Sequence, residues 1–180
     1  MGFRRVVVGQ SEEGKAVIVS DEHVESLNLG RGSPVDLLWA LEADPVVPND
    51  GSIPELGQWF PEPGRMRVST LIKMPAGQQL PAEPGGDRGS QLGLSATYET
   101  TDPGMHKSQT INVNMILSGE MWLELDDGAV KHLHPGDVVI QNGIRHRWSN
   151  RTDQPTTLFG VGIGARLIHP PLSDDVGTSD

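Results

Sequence analysis

The sequence predicts an all-β domain, a small barrel or sandwich with little helix, on three observations. Gly 22 and Pro 14 are many for 180 residues and suit short strands joined by tight turns. Short apolar-rich runs recur at residues 111–117, 121–125, 138–140 and 156–161, and Asp126-Asp127-Gly128, Pro135-Gly136 and Asn142-Gly143 between them are turn formers. Around residue 110 the chain alternates: His106, Ser108, Thr110, Asn112 and Asn114 take one parity, and Ile111, Val113, Met115 and Leu117 the other. A strand there has one polar and one apolar face.

Each element follows in order. Residues 4–8 and 15–19, rich in valine and isoleucine, flank Gly9-Gln10-Ser11-Glu12-Glu13-Gly14 and form a hairpin. Residues 21–34 are polar and irregular. The length of residues 35–42 fits a strand or a short helix, and Pro34 and Pro45 on either side favour the strand. Residues 43–64 hold five prolines and read as a covering loop anchored by Ile53, Leu56, Trp59 and Phe60, expected to pack rather than to touch a ligand. Residues 67–73 alternate as a strand, and 92–98 suit one helical turn. The expected organisation is a single domain: 1–75 N-terminal strands and covering loop packed on the barrel, 76–104 a long loop or lid, 105–165 the core, and 166–180 a flexible tail. A chain of this length can bury one full core.

Composition narrows the function. Without cysteine there are no disulfides, thiolate ligands or cysteine nucleophile, which leaves histidine, carboxylate and amide for any metal. A net charge of -10 disfavours nucleic acid and anionic membrane. No apolar run reaches bilayer-spanning length, and Val6-Val7-Val8 is too short for a secretory core, so a cytoplasmic location is expected.

The polar face of residues 106–114 either meets water or lines a wet cavity inside a barrel. Amides and hydroxyls dominate that face and Lys107 falls on the other, which favours the cavity. Two imidazoles there could serve as general acid and base.

Leu117-Ser118-Gly119-Glu120 and Leu125-Asp126-Asp127-Gly128 follow a strand–turn pattern, and Pro135-Gly136-Asp137 and Gly143-Ile144-Arg145-His146 with Asn150 downstream form a second motif. In these stretches residues 104–150 resemble a cupin, whose second motif they match and whose first they match in part. His106 fits the first histidine, Ser108 stands where the second is usual, Asn112 stands where the acid is usual, and Gln141 replaces a proline. His146-Arg147-Trp148 is similar to a small-cupin subgroup with a tryptophan two residues past its last histidine. The resemblance implies a cupin jelly-roll β-barrel with an N-terminal strand extension. It also implies a homodimer exchanging residues 4–8. For cofactors it implies none, or a weakly bound divalent metal (zinc, iron, manganese and nickel not distinguished) on His106, His146 and Asn112.

The expected catalytic residues are His106 and His146, and the expected substrate-binding residues are Asn112, Asn114, Ser108 and Trp148. His132 and His134 alternate on one strand face and mimic a metal pair, but their place before Pro135 puts them at the rim or outside. His23 and His169 read as surface residues, Arg145 and Arg147 as surface or interface residues, and Glu124 as solvated beside Lys131. Three functions stay open: a lyase or isomerase acting on an oxygenated organic metabolite, a metal-dependent cupin dioxygenase, and a non-catalytic small-molecule binding or sensing module. No nucleic-acid or membrane partner is expected.

Overall fold

A computed structural model describes residues 2–29, 34–47, 49, 51–74, 76–77 and 87–167. The middle of the expected lid, and most of the expected tail with His169, lie outside the described residues.

The chain is mostly β, a jelly-roll barrel with little helix. Its strands in order are β1 (Arg4–Gln10), β2 (Ala16–His23), β3 (Leu27–Asn28), β4 (Pro34–Leu41), β5 (Met66–Met74), β6 (Thr110–Ser118), β7 (Met121–Glu124), β8 (Val130–Leu133), β9 (Val138–Asn142), β10 (Arg147–Ser149) and β11 (Thr156–Gly164). A six-stranded sheet runs β3-β4-β5-β11-β6-β9 and a three-stranded sheet runs β10-β7-β8, while β1 and β2 form a separate hairpin. The 35–42 run is therefore a strand, and β4 and β5 are hydrogen-bonded into the barrel wall rather than packed upon it. None of the described helices is long and apolar enough to cross a membrane.

Two apolar clusters form the core. Ile116, Met121, Leu123, Trp148 and Leu158 join the two sheets at one end. At the other, Val35, Leu37 and Ala40 of β4 meet Leu56 and Trp59 of the covering loop and Leu92 and Leu94 of the helical segment. The loop is sewn down by the Trp59 N–H, which donates to the Leu92 carbonyl at 2.9 Å. The Ser118-Gly119-Glu120 turn requires its glycine: φ is 71°, and a Cβ there would lie 2.6 Å from the Pro155 carbonyl oxygen.

The outward face of the larger sheet is unusually apolar. Strand register aligns Ile140, Val113, Val161, Val68 and Trp39 in one row across five strands. Ile111, Met115, Val138, Ile140 and Ile163 on this face are exposed. Most sheets that face water alternate to polar residues on that side.

Candidate functional site

The inward face of the larger sheet lines a cavity of about 100 Å³. Its bare floor comes from sequence: Gly160 and Gly162 occupy inward positions of β11, so no side chain fills the space between β5 and β6. Ser108, Asn112 and Asn114 line one wall, with His106 and His146 beside them and Trp148, Leu158, Trp59 and Phe60 supplying apolar surface. All six residues expected to act on a ligand thus meet in one hollow. The covering loop packs as expected, with Trp59 in the core and Phe60 against it, and the same two residues also line the cavity.

The two histidines are held by their own backbone. His106 and His146 exchange reciprocal N–H to carbonyl bonds of 3.0 Å, which brings the ring centroids to 4.2 Å with the planes tilted by 52°. Tyr98 stacks on the far side of His106 at 4.4 Å. The His106 Nδ1 lies 3.1 Å from the Gly104 carbonyl, and the His146 Nδ1 lies 3.0 Å from the Ile144 carbonyl. A carbonyl only accepts, so both Nδ1 atoms carry the proton, and in each neutral ring Nε2 holds the lone pair. Burial pushes the His146 pKa below its ordinary value, against an opposing backbone hydrogen bond.

The arginines flanking His146 are not idle surface groups. Arg145 binds Glu99 through two nitrogens at 2.7 and 2.8 Å, and also reaches Asp102 and Asp126. Arg147 reaches Asp102, the Pro103 carbonyl and Glu124. Together they clamp residues 99–103, the segment leading into His106, to the stretch that carries His146. Glu124 is correspondingly buried, not solvated: its partners are Arg147, Arg151 and Ser149, while Lys131 sits opposite Leu123. Burial raises its pKa, but the three hydrogen bonds outweigh that and hold it at about 2.

A metal in the cavity would find two imidazoles and the Asn112 amide. No carboxylate is among the described lining residues, and zinc takes three or four firm ligands. This donor set does not fit a tightly held ion. A better set lies outside the barrel. Glu120, His132 and His134 place ligand atoms within 4.8 Å of one another and could hold a metal ion. His132 bonds Glu120 at 2.7 Å and stacks on Trp122 at 4.0 Å.

Sequence reading missed Arg67, Gln141 and Tyr98 in the cavity wall. Arg67 carries a signal in hindsight, since the parity of β5 puts it with Ser69 on the inward face.

No family model matches the chain. It is 33% identical over 107 residues to a phomopsin biosynthesis cluster protein of Diaporthe leptostromiformis, the match covering 59% of this chain and 52% of that one. The chain therefore spans about half the length of that curated relative. It is 21% identical over 160 residues to a cupin-domain-containing oxidoreductase of Neurospora crassa, covering 86% of this chain and 71% of that one. Among solved structures, a cupin 2 conserved barrel domain protein of Salinispora arenicola shares 17% identity at a TM-score of 0.43, covering 81% of this chain and 92% of that one.

Proposed function

We propose that this chain, which is a cupin-domain protein related to fungal cupin-domain oxidoreductases, is an enzyme that moves protons on an oxygenated organic metabolite, in the manner of a lyase or isomerase. The observation that carries this reading is the paired imidazoles, each locked by its Nδ1–H so that Nε2 bears the lone pair in the neutral ring. His146 Nε2 takes a proton from carbon beside a carbonyl, and the C–H electron pair moves into the enolate. The imidazolium so formed then returns the proton, to a different carbon in an isomerisation or to a departing hydroxyl in a dehydration. His106 Nε2, likewise an acceptor in the neutral ring, takes a hydrogen bond from a substrate hydroxyl, while Asn112, Asn114 and Ser108 hold the substrate. The test is proton exchange in deuterated buffer with a panel of small carbonyl compounds, read by NMR. Exchange by the wild type that is absent in His146→Ala supports the reading, and exchange equal in both proteins refutes it.

An oxidoreductase reading draws on the relatives' names. Its metal-dependent dioxygenase form requires a redox ion, and the described lining of the cavity offers no anionic ligand to hold one. Divalent metal instead belongs, on this proposal, to the Glu120, His132 and His134 cluster. Zinc titrated calorimetrically is expected to bind the wild type and His146→Ala alike and to lose at least tenfold in affinity on His132→Ala. The opposite pattern would place the ion in the barrel.

The apolar outer face of the larger sheet is proposed to meet a second copy of the chain. An apolar face is self-complementary across a two-fold axis, and the exposed Val6, Val8 and Ile18 of the hairpin would extend the contact. Light scattering is expected to give a dimer for the wild type and a monomer for Ile140→Asp. A monomeric wild type would refute the proposal.

A further inference from the structure

We infer that the cavity is built to take a ligand presenting sp2 oxygen acceptors, a carboxylate or ketone carbonyl, on a small apolar body, with Arg67 and Gln141 as the residues that select it. This inference deepens the proton-transfer reading by naming its substrate class. Arg67 and Gln141 line the cavity, and each is only 3% exposed. Most of their polar atoms are satisfied. Arg67 reaches Glu42, the Met66 carbonyl and the Gln58 carbonyl, and the Gln141 Oε1 accepts from Asn114 Nδ2 at 2.7 Å. Among the described residues, three buried donors are nevertheless left without an acceptor, and two of them, Arg67 Nε and Gln141 Nε2, belong to residues that line the cavity. The third, Arg5 Nε, belongs to the N-terminal hairpin.

An unpaired buried donor is costly, and proteins keep few of them. Both orphans on cavity-lining residues are of one kind: each is an N–H that needs an oxygen. They also belong to one structural row. Strand register sets Arg67 opposite Gly162, Gly162 opposite Asn112, and Asn112 opposite Gln141. The guanidinium and the amide thus stand at the two ends of a row whose second position is a glycine, and the gap over that glycine is part of the cavity. Asn112 between them supplies another amide.

The rest of the lining fixes the other half of the ligand. Trp59, Phe60, Leu94, Trp148 and Leu158 are apolar. No carboxylate lines the cavity among the described residues, so an ammonium group would find no counter-ion there. Arg67 is already neutralised by Glu42, so the site lacks an acceptor more than it lacks a negative charge, and a ketone can serve as well as a carboxylate.

Two substitutions isolate the donors. Gln141→Glu keeps an oxygen for the Asn114 amide and replaces the orphan N–H with a second oxygen. Arg67→Lys keeps a cation for Glu42 and removes Nε. Binding is measured by ligand-observed NMR on four compounds with one phenyl-bearing body: the carboxylate, the methyl ketone, the primary amine and the plain hydrocarbon. The wild type is expected to bind the carboxylate or the ketone at least tenfold more tightly than the amine and the hydrocarbon. The ratio between the first two tells which acceptor the site prefers. Gln141→Glu is expected to weaken acceptor binding about a hundredfold and Arg67→Lys about tenfold, with the hydrocarbon unchanged in both. Circular dichroism and thermal melting check that each variant is folded. Should Gln141→Glu destabilise the barrel, Gly162→Val provides the second route, since it fills the gap in the row and is expected to abolish acceptor binding. Preference for the amine or the hydrocarbon, or unchanged binding in folded Gln141→Glu, overturns the inference. Because the readout is binding, tight acceptor binding without proton exchange would refute the proposed chemistry and leave this inference standing.

Discussion

His146→Ala is expected to lower turnover about a thousandfold, the usual scale of a positioned acid–base group, while leaving the barrel folded. The fold should survive because the His146 backbone, not its ring, makes the two 3.0 Å bonds to His106. The pH dependence carries the same signature. Burial depresses the His146 pKa, so on the proton-transfer proposal the base stays unprotonated below the pH at which an exposed histidine would have charged. The acid limb of the rate profile is therefore expected below the ordinary histidine range. The linkage to stability has a definite sign. The folded pKa lies beneath the unfolded one, so the unfolded chain binds more protons as pH falls through the ordinary histidine value. From there downward the folded state loses stability, and above it His146 contributes no slope. Proton-exchange rates and melting temperatures across pH check both statements. An acid limb at or above the ordinary histidine value would contradict them.

Glu124→Ala is expected to cost about 3 kcal/mol of stability, because it removes the shared acceptor of Arg147, Arg151 and the buried Ser149 hydroxyl and leaves Arg147 with Asp102 as its one carboxylate. For a chain of this size that is a fall in melting temperature of roughly 10 °C. The loss should reach the site, since Arg147 also holds Asp102 and the Pro103 carbonyl in the segment that delivers His106. Weakened ligand binding is expected with it. The carboxyl is held at about 2 in the folded protein, below its unfolded value. Its contribution is fully present above the ordinary carboxylate range and disappears as pH falls toward 2. Wild type and variant should therefore converge in stability in acid, a comparison made by denaturant titration at several pH values. A constant difference down to the lowest pH would deny Glu124 this role.

How much of this was legible in the residues differs by element. The alternation from His106 to Leu117 located a strand and correctly assigned its polar face to a hollow, because inward and outward positions of a strand differ by parity alone. The motif around His146 placed the second imidazole on the same hollow. What local pattern could not show was partnership at a distance. Glu124 reads as a solvated carboxylate until β10 brings Arg147 across from it. Arg145 and Arg147 read as surface or interface residues until the segment at 99–103 folds over them. Arg67 lies 74 residues from Gln141 in sequence, and only the register of four strands places them in one row. The covering loop was legible as a packing element, yet not as part of the cavity, because Trp59 and Phe60 reach the hollow through a proline-rich path with no period to follow.

The central claim is that two imidazoles share one hollow with Nε2 as the lone-pair nitrogen of each. Nitrogen-15 NMR of the histidine rings tests it most directly, with His106→Gln and His146→Gln assigning the signals. Both rings are expected to be Nδ1-protonated at neutral pH, His146 to titrate below the ordinary range, and an added acceptor ligand to shift both rings together. An Nε2-protonated His146, or a ligand that moves one ring and leaves the other untouched, would contradict it.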